Sequence, residues 1–118
     1  MSHRIHYDLY RAPKGMADPG NAGRINVTKD LQICEMTTGA SGETRTLVDP
    51  TKAGIRFVLR LLTDGGGDAV VTAAAGLNVT GNTVATFNDA SDILSLMSVS
   101  TSSGYRWQVL VNTGVSLS

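Results

Sequence analysis

The 118-residue chain has one cysteine, two histidines, three prolines and one tryptophan. A lone cysteine, Cys34, forbids an intrachain disulfide and any multi-cysteine zinc site. It falls in the alternating stretch Leu31-Gln32-Ile33-Cys34-Glu35-Met36, which makes it a small, half-buried strand residue rather than a nucleophile. Aromatic residues make up 5% of the chain, so platforms for stacking sugars or bases are scarce. No apolar run approaches the roughly 20 residues of a membrane-spanning helix, and the polar N-terminus has no signal-peptide stretch. The expectation is a soluble chain that is not exported and has no membrane partner. Net charge is missing too: ten Lys plus Arg balance ten Asp plus Glu. The basic excess of a nucleic-acid binder is therefore absent, and no nucleic-acid partner is expected.

What is present is a globular composition, 42% hydrophobic and 17% charged with 13 glycines, enough for one packed domain rich in turns. The charge is unevenly spread. Arg4, Arg11, Lys14, Arg24 and Lys29 oppose only Asp8 and Asp18 before residue 30, so a cationic N-terminal segment precedes an anionic body. That segment holds the breakers Ala12-Pro13-Lys14-Gly15 and Asp18-Pro19-Gly20-Asn21, which predict an extended arm over residues 1–26.

From residue 27 to 118 the chain reads as a single β domain, with β-branched residues abundant and no helical period. Strands are predicted over Val27 to Thr38, Glu43 to Val48, Ile55 to Thr63, Asp68 to Ala74, Leu77 to Thr80, Thr83 to Phe87, Asp92 to Ser100, Tyr105 to Asn112 and Val115 to Leu117. Their even spacing predicts an all-β fold, a small antiparallel sandwich or barrel. In Ile55-Arg56-Phe57-Val58-Leu59-Arg60-Leu61 and Tyr105-Arg106-Trp107-Gln108-Val109-Leu110-Val111 the odd positions are apolar, the period of a half-buried strand. The predicted core is Phe57, Leu59, Leu61, Trp107 and Val109 with Phe87, Ile93, Leu94 and Leu96.

A search for chemistry finds little. His3 and His6 stand in the arm, with no strand or helix to orient them as ligands or bases. Gly39-Ala40-Ser41-Gly42-Glu43-Thr44 lacks the lysine of a phosphate loop and reads as a hairpin turn. Asp64 with Asp68, and Asp89 with Asp92, lie near enough in sequence to share a cation, but their spacing matches no EF-hand and suits turn aspartates that bond their own backbone. No enzyme, cofactor or metal site is expected. The arm differs: Ile5, Tyr7 and Leu9 alternate beside Arg4, Tyr10 and Arg11, a segment able to add as an edge strand to a neighbour. These six are the candidate partner-binding residues.

Arg45-Thr46-Leu47-Val48-Asp49-Pro50-Thr51, Asp64-Gly65-Gly66-Gly67-Asp68, Gly81-Asn82, Thr86-Phe87, Arg106-Trp107-Gln108-Val109 and Asn112-Thr113-Gly114-Val115-Ser116-Leu117-Ser118 together resemble a small β-rich module of tailed-phage virion proteins. The resemblance covers about residues 43–118 and does not reach the arm. It implies a structural role on the capsid exterior, as a decoration (cement) protein made in the host cytoplasm. The implied partners are the major capsid protein and further copies of the chain, with a trimer as the expected state. A related module in a tail or fibre would instead recognise a surface ligand.

Overall fold

The structure, a computed structural model, describes residues 12–118. The described residues are all-β, with ten strands: β1 (Lys14–Met16), β2 (Gly23–Ile25), β3 (Gln32–Thr37), β4 (Glu43–Leu47), β5 (Arg56–Thr63), β6 (Ala69–Thr72), β7 (Val84–Phe87), β8 (Ile93–Thr101), β9 (Gly104–Thr113) and β10 (Ser116–Leu117). They make two five-stranded sheets, sheet A in the order β1-β3-β5-β8-β9 and sheet B in the order β10-β7-β6-β4-β2. Inward residues of both sheets form the core of a small sandwich.

The first six strands alternate between the sheets, odd in A and even in B. From β3 to β6 each pairs in parallel with the strand one winding earlier, Lys14 opposite Gln32, Arg24 opposite Thr46, Cys34 opposite Leu59 and Thr44 opposite Val70. This is a flattened coil of three windings. From β7 onward the added strands are antiparallel, β7 and β10 on sheet B and the β8–β9 hairpin on sheet A. The antiparallel pairing predicted from the sequence thus describes the C-terminal half, whereas the N-terminal half is parallel. Period-2 alternation sets which face a strand buries but not the direction of its neighbour.

Two consequences correct the sequence reading. The Gly39-Ala40-Ser41-Gly42 segment is a crossing from β3 in one sheet to β4 in the other, not a hairpin turn. It stacks on the next crossing, 64–68: the Gly67 N–H donates to the Gly39 carbonyl at 2.9 Å, and the buried Thr38 hydroxyl donates to the Gly67 carbonyl at 2.8 Å. A Cβ on Gly67 would overlap the Ser41 carbonyl, so close approach of two backbones explains a glycine there.

The second concerns the arm, predicted over 1–26 with the core beginning beyond Ile25. Lys14–Met16 and Gly23–Ile25 are edge strands of sheets A and B, and Ile25 is fully buried. Their brevity and glycines hid them from a periodicity test. Removal of residues 1–24 would strip an edge from each sheet.

The predicted strand at Leu77 to Thr80 is a turn instead. The Asn78 Oδ1 accepts the Thr80 N–H at 3.1 Å, and the Asn78 amide donates to Asn82 Oδ1 at 2.7 Å. Local side-chain bonds of this kind compete with a ladder. Leu77 is still buried, and its carbonyl accepts the Val109 N–H at 3.0 Å.

The core contains Phe57, Leu59, Leu61, Phe87, Leu94, Leu96 and Trp107 as predicted. Val109 packs against it only partly buried. Ile93 was expected inside, but the alternation that buries Leu94 turns Ile93 to the outer face. On β9 a register shift opposite Ser95/Leu96 inserts Leu110 as an extra residue, leaving Leu110 and Val111 51% and 57% exposed. A bulge flips the parity that a strict alternation assumes.

Candidate functional site

Arg4, Ile5, Tyr7, Leu9, Tyr10 and Arg11, the partner-binding residues singled out in the sequence, lie outside the described residues, as do His3 and His6. The first described residues, Ala12 and Pro13, precede β1, the outermost strand of sheet A.

Among the described residues the densest polar cluster is buried, and sequence reasoning missed it. Arg45 sits on β4 between Glu43 and Leu47 with its side chain wholly inside. Its Nε donates to Asp18 Oδ1 at 2.7 Å and its Nη2 to Asp18 Oδ2 at 2.9 Å, the bidentate geometry that a guanidinium and a carboxylate share. Nη2 also reaches the Thr37 carbonyl and Glu43 Oε1, each at 3.1 Å. Asp18, in the crossing from β1 to β2, accepts the Thr37 N–H at 2.9 Å and the Gly20 N–H at 3.1 Å. Asn21 Oδ1 takes the Thr44 N–H at 3.0 Å. The first crossing is thereby tied to β3 and β4 through Arg45. A signal existed in the sequence: alternation places Arg45 on the same face as Leu47, and an arginine on an apolar face needs a partner.

Burial by itself pushes the Asp18 carboxyl up, but the bonds from Arg45, Thr37 and Gly20 together with the Arg45 charge hold it below its ordinary value of 3.8. Burial likewise disfavours the charged form of Arg45, yet the Asp18 bonds and the Asp18 and Glu43 charges raise it above its ordinary value. The ion pair is complete at neutral pH.

Cys34 lies beside this cluster, fully buried rather than half-buried as the sequence suggested, because Cys34 and Met36 form the inward face of β3. Burial, reinforced by the Asp18 charge, raises its thiol to about 11. A thiol this far above neutral is protonated and shielded. Native protein at pH 8 is therefore expected to leave Cys34 unlabelled by a thiol-reactive disulfide over the time in which urea-unfolded protein is labelled completely; equal rates would contradict its placement.

The turn aspartates do local work. Asp64 Oδ1 accepts the Gly66 N–H at 2.8 Å. Asp92 Oδ2 accepts the N–H groups of Asn88 at 2.9 Å and Asp89 at 3.1 Å. Among the described residues no group of three or more His, Cys, Asp or Glu side chains could hold a metal ion.

A cleft of about 320 Å³ opens between the links β2–β3 (Asn26, Val27, Thr28) and β4–β5 (Val48, Asp49, Thr51, Lys52, Ile55). Its one carboxylate, Asp49, accepts the Ala75 N–H at 3.0 Å, and the Val48 carbonyl accepts the indole N–H of Trp107 at 3.0 Å. The volume is at the small end for a ligand pocket. Compared with known proteins, the chain matches no family model and no curated protein in sequence, so its function is argued from its own residues.

Proposed function

We propose that the chain is a non-enzymatic structural protein of a tailed-phage virion, a decoration protein on the capsid exterior that bridges neighbouring capsid subunits and acts as a homo-oligomer. The reading starts from the resemblance of residues 43–118. The structural observation that supports it is that β1, the first described strand, is the edge of sheet A. A sequence with apolar residues at 5, 7 and 9, just before an edge strand in the chain, suits pairing with a neighbour's strand. Such bridging would make capsid expansion break several contacts at once.

The test compares the full chain with one lacking residues 1–11, mixed with undecorated heads and sedimented. The shortened chain keeps every described strand, so it should fold. It is expected to bind about tenfold more weakly or worse, as loss of a few hydrogen bonds at about 0.5–1.5 kcal/mol each requires. Equal binding would remove the arm from the attachment. A second reading, an adhesion or receptor-binding module of a tail or fibre, is favoured by the cleft near Asp49 and Lys52. A surface ligand whose binding is lost in Lys52→Ala, with no affinity of the chain for heads, would replace the first reading by the second.

A further inference from the structure

The outer faces of the two sheets differ in chemistry. On sheet B, one transverse row runs Thr44, Val70, Thr86, Ser116, so hydroxyls dominate. The matching row on sheet A runs Ile33, Val58, Ser95, Val111 across β3, β5, β8 and β9. Ile93 and Met97 flank it on β8, both half-buried, and Val111 is 57% exposed. The cations that β5 contributes to this face are paired with carboxylates, Arg60 with Glu35 at 2.5 Å and Arg56 with Asp30 at 2.7 Å. A further cation on this face, Arg106 on β9 opposite Val99, sits near one end and donates to Gln108 Oε1 at 3.0 Å, so the middle of the face is apolar and carries no unpaired charge.

We infer that the outer face of sheet A is the surface through which copies of this chain associate. The inference rests on the homo-oligomer part of the functional reading and assigns it a surface. Size supports it: five strands about 4.8 Å apart, along the length of β5 at about 3.3 Å per residue, cover about 600 Å². With side-chain relief that approaches the roughly 800 Å² per partner of a standard interface. Charge selects the occupant. A nucleic acid or an anionic membrane would demand unpaired cations, whereas a neutral apolar face is matched by another of the same kind without repulsion. Contiguous apolar surface of this sort on a folded domain marks a contact.

The experiment measures the mass of the full chain by light scattering and sedimentation for wild type, Val58→Lys, Val111→Lys and, on sheet B, Thr46→Lys. Wild type and Thr46→Lys are expected at the same multiple of 12.4 kDa, and the two sheet A variants at the mass of one chain with an unchanged β-type circular dichroism spectrum. Should Val58→Lys fail to fold, Val111→Lys carries the test, because its side chain is already exposed. A folded sheet A variant that keeps the wild-type mass overturns the inference. So does a monomeric wild type, including one that associates only after removal of residues 1–11, which would show that the chain's own N-terminus covers the face. Binding to undecorated heads, measured on the same samples, separates the two readings. An oligomer that ignores heads ends the decoration reading alone, and a monomer that binds them ends this one alone.

Discussion

Asp18→Ala is expected to cost about 3–5 kcal/mol of stability, the range for removing one partner of a buried ion pair. The magnitude follows from what is left behind. Arg45 remains enclosed in the sandwich with its Nε unpaired, and only Glu43 and the Thr37 carbonyl still hold it. The Thr37 and Gly20 N–H groups lose their acceptor as well. Arg45→Met should cost less, since the wholly buried charge goes with the side chain, whereas the Asp18 carboxylate left behind is 19% exposed and keeps both backbone donors. Thermal or urea unfolding of both variants checks the order, and Arg45→Met losing more than Asp18→Ala would contradict it.

The same pair sets an acid limit. Because the Asp18 carboxyl titrates below 3.8 in the folded chain, its contribution is complete above the unfolded value and is lost as pH falls through the lower folded one. Stability of Asp18→Ala should therefore fall less steeply than that of wild type below about pH 4.

Trp107→Ala is expected to remove about 3–5 kcal/mol. Trp107 is wholly buried, its ring lies 5.9 Å from that of Phe57 at a 47° tilt, and its indole N–H holds the Val48 carbonyl. Truncation opens a cavity between the sheets and leaves that carbonyl unpaired. Trp107→Phe keeps an aromatic ring beside Phe57 and loses the hydrogen bond, so its cost should be smaller, about 1–3 kcal/mol. As the only tryptophan, Trp107 also reports unfolding by a red shift of its emission. If Trp107→Ala melted like wild type but lost a surface ligand, the adhesion reading would gain.

How much of this was legible in the sequence depends on the range of the interaction that decides it. The inward face of β5, Phe57, Leu59 and Leu61, was readable because alternation is local; on β8 Leu94 and Leu96 were placed correctly but Ile93, adjacent in an unbroken apolar pair, was not. Strand direction was not. Successive strands joined by short glycine-containing links suggest hairpins, yet here the links at 38–42 and 64–68 cross between sheets and stack on each other. That choice is made by contacts such as Gly67 on Ser41, invisible within either segment. Arg45 was visible as an anomaly but its partner was not, because Asp18 lies in a stretch whose prolines and glycines read as arm. The exposed apolar residues on β9 were hidden by one inserted residue, Leu110, which only the pairing with β8 reveals.

The three-winding coil also bears on the order in which the chain can fold as it is made. Its windings occupy residues 14–72, but the inward faces of β3 and β5 enclose a space completed by Leu94 and Leu96 from β8 and by Trp107 from β9. A nascent chain that has emerged only as far as Thr72 has three strands of each sheet, but the part of the core that Leu94, Leu96 and Trp107 supply is still missing. Completion of the core therefore waits for the last quarter of the sequence. The Trp107–Val48 bond is a latch between the latest long strand and the middle of the chain, so translation that stops short of it leaves two open sheets prone to aggregate.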